Sequence, residues 1–173
     1  MATNPISTVR SVFITGLQNA HAVEHQALGL IDRQLDRLVR YPEVADRLRL
    51  HRRETEQQIE RLNDILGSLG ESHSSLKDMA MGFVGNMAAL GHVMAPDEIL
   101  KNSFVNYAFE HFEIASYRSL IALAEAGPFP TAASLLQTTL REERAMAAWI
   151  DETLPEITLK YVELRDEGRT ASH

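Results

Sequence analysis

Between about Ser7 and Arg40, apolar residues recur at multiples of seven positions in two interleaved series, Leu17, Ile31, Leu38 and Ile14, Leu28, Leu35. Two turns of α-helix return a side chain to the same face after about seven residues, so this spacing predicts one long helix with a core-facing seam. The alternation at every second residue that marks a half-buried strand does not appear, and proline and glycine divide the rest of the chain into similar long pieces. The expected fold class is all-α.

Tyr41-Pro42-Glu43 breaks the first helix, because proline has no amide donor and suits a first helical turn. A second helix is expected from Val44 through Leu48, Leu62 and Ile65 to Leu69, ended by Gly67 and Gly70. Glu71 to Ala95 reads as a connection with a short helix around Leu76 to Leu90. The third helix starts near Pro96-Asp97-Glu98, carries Leu100, Phe104, Tyr107, Ile114, Tyr117 and Ile121, and stops at Gly127-Pro128-Phe129-Pro130. A fourth runs from Thr131 to about Thr153 with Leu136, Leu140, Met146 and Ile150 on one face. Pro155 is expected to open a separate short C-terminal helix, about 155–166, with Ile157, Tyr161 and Leu164 aligned. Two antiparallel hairpins joined by a long link predict a four-helix bundle of ferritin-like type. A simple up-down bundle needs links of only about 2–8 residues. The chain is expected to be a single domain over 1–173, with its bundle core at about 7–153.

Composition narrows the function. The 173 residues carry 17 Lys+Arg and 24 Asp+Glu, a net charge of −7, with no basic run, so nucleic acid and anionic membrane are not expected as partners. No cysteine is present, which leaves His, Asp, Glu and carbonyl oxygen as the only metal ligands and suits a reducing, cytoplasmic setting. Met1 to Val12 lacks the pattern of a secretory signal. The longest uncharged stretch, Met79 to Pro96, falls short of the roughly 20 apolar residues that cross a bilayer. Its methionines, Met79, Met81, Met87 and Met94, are expected to pack the connection on the bundle or on a second subunit. Neither a Gly-rich phosphate loop nor a Gly-x-Ser-x-Gly elbow occurs.

Carboxylates interrupt the seams. Glu24 stands in the series Leu17, Glu24, Ile31, Leu38, and Glu143 stands between Leu136 and Ile150. Glu110 lies among Tyr107, Ile114 and Tyr117, with Glu113 one turn further on. In the second helix Glu54 lies at the edge of the apolar stripe, about 20° from Ile65 and about 40° from Gln58. Each long helix thus offers an inward carboxylate, and several such groups converging at mid-bundle must either take up protons or hold cations. A glutamate from each of four helices, with further ligands, is the ferritin-like di-iron or di-manganese arrangement. The competing expectation is local pairing, of Glu143 with Arg144 and of Glu54 with Arg47 or Arg61. His21 and His51 each precede a candidate glutamate by three residues and share its face, as ligands or as groups orienting them. His25 and His111 point about 100° away, towards the surface. Tyr107 and Tyr117 flank Glu110, either as core or as groups close to bound oxygen species.

Ala22-Val23-Glu24-His25 is echoed by Ala108-Phe109-Glu110-His111, a faint repeat between the two hairpins. Together with His51-x-x-Glu54-Thr55-x-x-Gln58, Glu110-His111-Phe112-Glu113 and Leu135-Leu136-x-x-Thr139-Leu140-x-Glu142-Glu143, these motifs over about residues 13–150 resemble the YciE/YciF family of bacterial ferritin-like stress proteins. The resemblance implies a homodimer, a link to stress responses and a dimetal site similar to that of rubrerythrin. Carried over onto this chain, the ligands are Glu24, Glu54, Glu110, Glu113 and Glu143, holding two iron or manganese ions. Two departures stand out. Di-iron sites of this type add a histidine three residues after the glutamate on two helices, whereas Glu54 is followed by Gln57 and Gln58, and Glu143 by Met146 and Ala147. The expected function is ferrous oxidation or peroxide reduction. The alternative is a non-catalytic stress protein, acting through dimerisation or partner binding, with a vestigial site.

Overall fold

The computed structural model describes residues 5–72 and 97–171. Four long helices account for nearly all of them: α1, Pro5–Leu35; α2, Pro42–Ser68; α3, Glu98–Ala126; and α4, Pro130–Asp166. The described residues contain no strand. The short helix expected around Leu76 to Leu90 and the four methionines of that stretch lie outside the described residues.

Side-chain bonds give the helix directions. Arg10 near the start of α1 donates to the carbonyl of Leu69 just past the end of α2, at 2.8 Å, so these two helices are antiparallel. Between α1 and α3, Gln34 and Asn106 exchange amide hydrogen bonds of 2.8 and 2.9 Å, and Arg37 grips Glu98 at 2.7 Å through both Nε and Nη2. Gly16 meets Leu120 near the other end of the same pair, which makes it antiparallel too. Between α2 and α4, Lys160 pairs with Glu43 and Arg61 with Glu142, again with opposite directions. Consequently α2 and α3 run parallel, and the end of α2 lies at the opposite end of the bundle from the start of α3. Each helix packs on two neighbours, α1 and α4 both lying between α2 and α3, with the pairs α1/α4 and α2/α3 on the diagonals.

Two ends follow from local chemistry. α2 closes at Gly70, whose φ of 71° an L side chain adopts only with strain, while Glu71 N–H donates to Leu66 O and Gly70 N–H to Gly67 O. α4 closes the same way at Gly168, φ 68°, with Arg169 N–H donating to Leu164 O. α1 ends at Leu35 rather than near Arg40. Tyr41 precedes a proline and so must leave helical geometry, which it does at φ −125° and ψ 65°, and several residues are needed to reverse the chain before it.

Pro155 corrects the expectation of a separate short C-terminal helix. It lies inside α4, which continues unbroken to Asp166. The ring costs one helical hydrogen bond at an exposed turn, whereas Ile157 and Leu164 continue the seven-residue register of Ile150 and are buried with it. Burial of that stripe against Tyr41, Val44 and Leu48 outweighs the missing bond.

The core has two apolar layers. One is built on Phe13, Leu17, Leu62, Leu66, Leu120 and Leu136, the other on Ile31, Tyr41, Leu48, Ile99, Met146 and Ile150. On every helix the residues that separate these layers include buried polar groups: Glu24, His51 with Thr55 and Gln58, Glu110 with Glu113, and Glu143.

Candidate metal centre

Residues at heptad spacing from core positions have no choice of direction, and Glu24 and Glu143 are therefore driven inward with Leu17 and Leu136, to 1% and 0% exposure. Glu110 and Glu113, three apart on α3, bury to 4% and 2%. From α2, His51 enters the same layer at 2% exposure. Its Nε2 lies 3.3 Å from Glu110 Oε1 and 3.9 Å from Glu143 Oε2. One ligand atom from each of His51, Glu110 and Glu143 falls within 4.8 Å of the others, a compact group able to grip a cation.

Outer contacts hold this group. Gln58, wholly buried, donates its amide to Glu143 Oε1 at 2.5 Å and to Glu142 Oε2 at 3.0 Å. Arg61 clamps both oxygens of Glu142, at 2.6 and 2.8 Å, and reaches the Thr139 hydroxyl at 3.2 Å. Glu54 accepts from Arg47 at 3.0 Å and lies 3.1 Å from His51 Nδ1. Tyr117, from α3, donates its hydroxyl to Glu24 across the bundle. Thr55 bonds the carbonyl of His51 at 3.0 Å, the usual helical outlet for a buried threonine.

Arg47 neutralises Glu54 and Arg61 neutralises Glu142. Of the central acids, Glu110 and Glu143 lie within ion-pair reach of His51. Four nearly water-free carboxylates share the layer with the His51 imidazole. Glu110 Oε2, Glu113 Oε1, Glu143 Oε2 and Gln58 Oε1 are buried without a hydrogen-bond partner among the described residues. Such oxygens cost several kcal/mol in aggregate unless a proton or a cation meets them.

Titration behaviour follows. Burial pushes the Glu24 carboxyl up to about 8, only partly opposed by the Tyr117 hydroxyl and by His51. Burial first, and neighbouring glutamates second, raise Glu113 and Glu143 well above the ordinary carboxylate range. For His51 burial alone would depress basicity, but Glu110, Glu54 and Glu143 together overcome it and lift the imidazole well above its usual value. Glu54 moves the other way. Its partial burial would raise it, yet His51 and Arg47 hold it below the carboxylate norm.

The structure thus brings Glu24, Glu110, Glu113, Glu143, His51, Gln58 and Tyr117 into one layer between the apolar clusters. Glu54 borders it, about one-fifth exposed, with its carboxylate engaged by Arg47 and His51. His21 is buried on α1 and meets the exposed His25 edge-on, ring centroids 4.7 Å apart. Tyr107 packs edge-on against His111 at 4.5 Å and joins the Ile31 cluster. Glu142 has no signal in the periodicity, because its partners Arg61 and Gln58 come from another helix; within the sequence it stands out only in the motif Thr139-Leu140-x-Glu142-Glu143.

A sequence family described as "Domain of unknown function (DUF892)" matches residues 8–163. The protein YciF of Escherichia coli (strain K12) is 29% identical, the alignment covering 95% of this chain and 98% of that one. Among solved structures, a protein from Xanthomonas campestris pv. campestris superposes with a TM-score of 0.78 at 30% identity, covering 92% of this chain and 99% of its own. The Escherichia coli stress protein YciF superposes with a TM-score of 0.70 at 27% identity, over 89% and 96%. These matches bear out the resemblance carried by the glutamate motifs.

Proposed function

Because the chain belongs to the DUF892 family, we propose that it is a YciF-like stress-response protein of ferritin-like architecture whose buried carboxylates hold two iron or manganese ions. The observation that carries this reading is the convergence of His51, Glu110 and Glu143 within 4.8 Å, amid buried oxygens that no donor meets. The fit extends to charge. Four carboxylates that no Lys or Arg is shown to pair, Glu24, Glu110, Glu113 and Glu143, balance two divalent ions once His51 is neutral, and imidazole with carboxylate suits iron or manganese. The parallel course of α2 and α3, with their joined ends at opposite ends of the bundle, supports the one-crossover arrangement of ferritin-like folds.

When bound, such ions supply one-electron redox chemistry towards ferrous substrate, oxygen or peroxide. The chain's own residues do the rest. The two apolar layers exclude water, Gln58 and Arg61 fix Glu143 and Glu142, and Tyr117 keeps a hydroxyl on Glu24. A cytoplasmic homodimer is part of the proposal; no helix among the described residues is long and apolar enough to cross a membrane.

A second reading, a non-catalytic stress protein with a vestigial site, is favoured by one observation. Gln58 takes up Glu143 Oε1 where a further ligand helix turn carries no histidine. Metal content separates the two. Protein purified without chelator, then loaded anaerobically with ferrous iron, is expected to hold about two ions per chain, absent from a Glu24→Ala/Glu143→Ala variant. Wild-type protein that stays metal-free after loading would leave only the second reading.

A further inference from the structure

We infer that Glu54 acts on the centre through His51, as a positioning residue that fixes which imidazole nitrogen faces the carboxylates, with Arg47 anchoring it. The inference rests on the metal reading above and concerns the α2 contribution to it.

The geometry is a chain of three groups. Arg47 Nη1 lies 3.0 Å from Glu54 Oε2, and that same oxygen lies 3.1 Å from His51 Nδ1. On the far side of the ring, Nε2 faces Glu110 Oε1 at 3.3 Å and Glu143 Oε2 at 3.9 Å. A carboxylate only accepts, so the proton shared with Glu54 belongs to Nδ1, and a cation bound among the central carboxylates takes the place of the proton that Nε2 shares with Glu110. Glu54 itself is differently placed from the four central acids. Its Oε2 is met by both Arg47 and His51 and its side chain is partly exposed, whereas the four central acids are buried and Glu110, Glu113 and Glu143 each keep an oxygen unmet.

The sequence spacing explains the device. His51 and Glu54 are one helical turn apart, so the acid reaches the ring without help from another helix, and Arg47 reaches Glu54 from two turns back. Carboxylate–histidine–metal arrays of this form orient the ring and raise its basicity as a ligand. The consequence is selectivity. A nitrogen donor held in place favours transition metals over magnesium and calcium, which take oxygen ligands.

The test uses zinc as a diamagnetic probe and ¹⁵N resonances of the His51 ring in the full chain. In zinc-loaded wild type, Nδ1 should carry the proton and Nε2 the metal. Glu54→Gln keeps an acceptor oxygen and should keep both the tautomer and the zinc stoichiometry. Glu54→Leu should weaken zinc binding about 10- to 100-fold with helical content unchanged. Zinc bound through Nδ1, or Glu54→Gln losing zinc as completely as Glu54→Leu, would overturn the inference while leaving the metal reading intact. Wild type that takes up neither zinc nor ferrous iron would overturn both.

Discussion

Gln58 lies 2.5 Å from Glu143, joining α2 to α4 through an amide that also serves Glu142. Replacing it by leucine removes the donor from a wholly buried carboxylate. Gln58→Leu should destabilise the metal-free protein by about 1–3 kcal/mol, read from urea unfolding midpoints at constant slope. A midpoint equal to wild type would mean that this contact contributes nothing.

Protonation couples the centre to stability. Glu24, with its carboxyl at about 8, and Glu113 and Glu143, also raised, bind protons in the folded state at pH values where the unfolded chain, near 4.5, has released them. Stability from such groups is present at low pH and lost as pH rises through the folded values. His51 adds the same sign, since its raised value gives stability below about 6.5 that is lost at higher pH. The Tm of chelator-treated protein should therefore fall steadily between about pH 5 and about pH 9. Metal-loaded protein should gain relative to it over the same interval, because cations replace the protons. Calorimetry of both forms checks the crossing trends.

Tyr117→Phe isolates the hydroxyl on Glu24. That donor lowers the Glu24 carboxyl against the effect of burial, so its loss should move Glu24 above about 8. Ferrous or manganous uptake, which competes with that proton, should shift its midpoint to higher pH. Titration of uptake against pH in both proteins is the measurement; superimposable curves would refute it.

Pro155→Ala should stabilise the chain by about 1–3 kcal/mol, since alanine restores a helical donor at a position that is already helical. Conversely, Gly70→Ala should cost about 1–2 kcal/mol. A Cβ there meets nothing within 4 Å, so the cost is the strain of φ 71° alone. Thermal denaturation of the two variants gives both signs.

Heptad arithmetic made Glu24 and Glu143 legible, because a residue locked between Leu17 and Ile31, or between Leu136 and Ile150, shares their direction whatever its polarity. The same arithmetic could not separate Glu54 from His51. Both lie near one stripe of α2, and which of them reaches the centre depends on Arg47 drawing the carboxylate outward, a side-chain contact invisible to backbone periodicity. Pro155 departs from its local preference for a related reason. Its local preference suggests a helix start, but Ile157 and Leu164 stay in register with Ile150, and burial of a stripe outweighs a single exposed hydrogen bond. The early end of α1 likewise reflects space needed for a reversal, which a repeat of leucines does not record.

The polar layer draws Glu24 from α1, His51 from α2, Glu110 and Glu113 from α3 and Glu143 from α4, so neither half of the chain owns it. The full ligand set therefore depends on assembly. A chain whose two hairpins part leaves Glu110, Glu113 and Glu143 together on one of them without His51 and Glu24, so on the proposed reading a full metal complement doubles as a census of intact bundles.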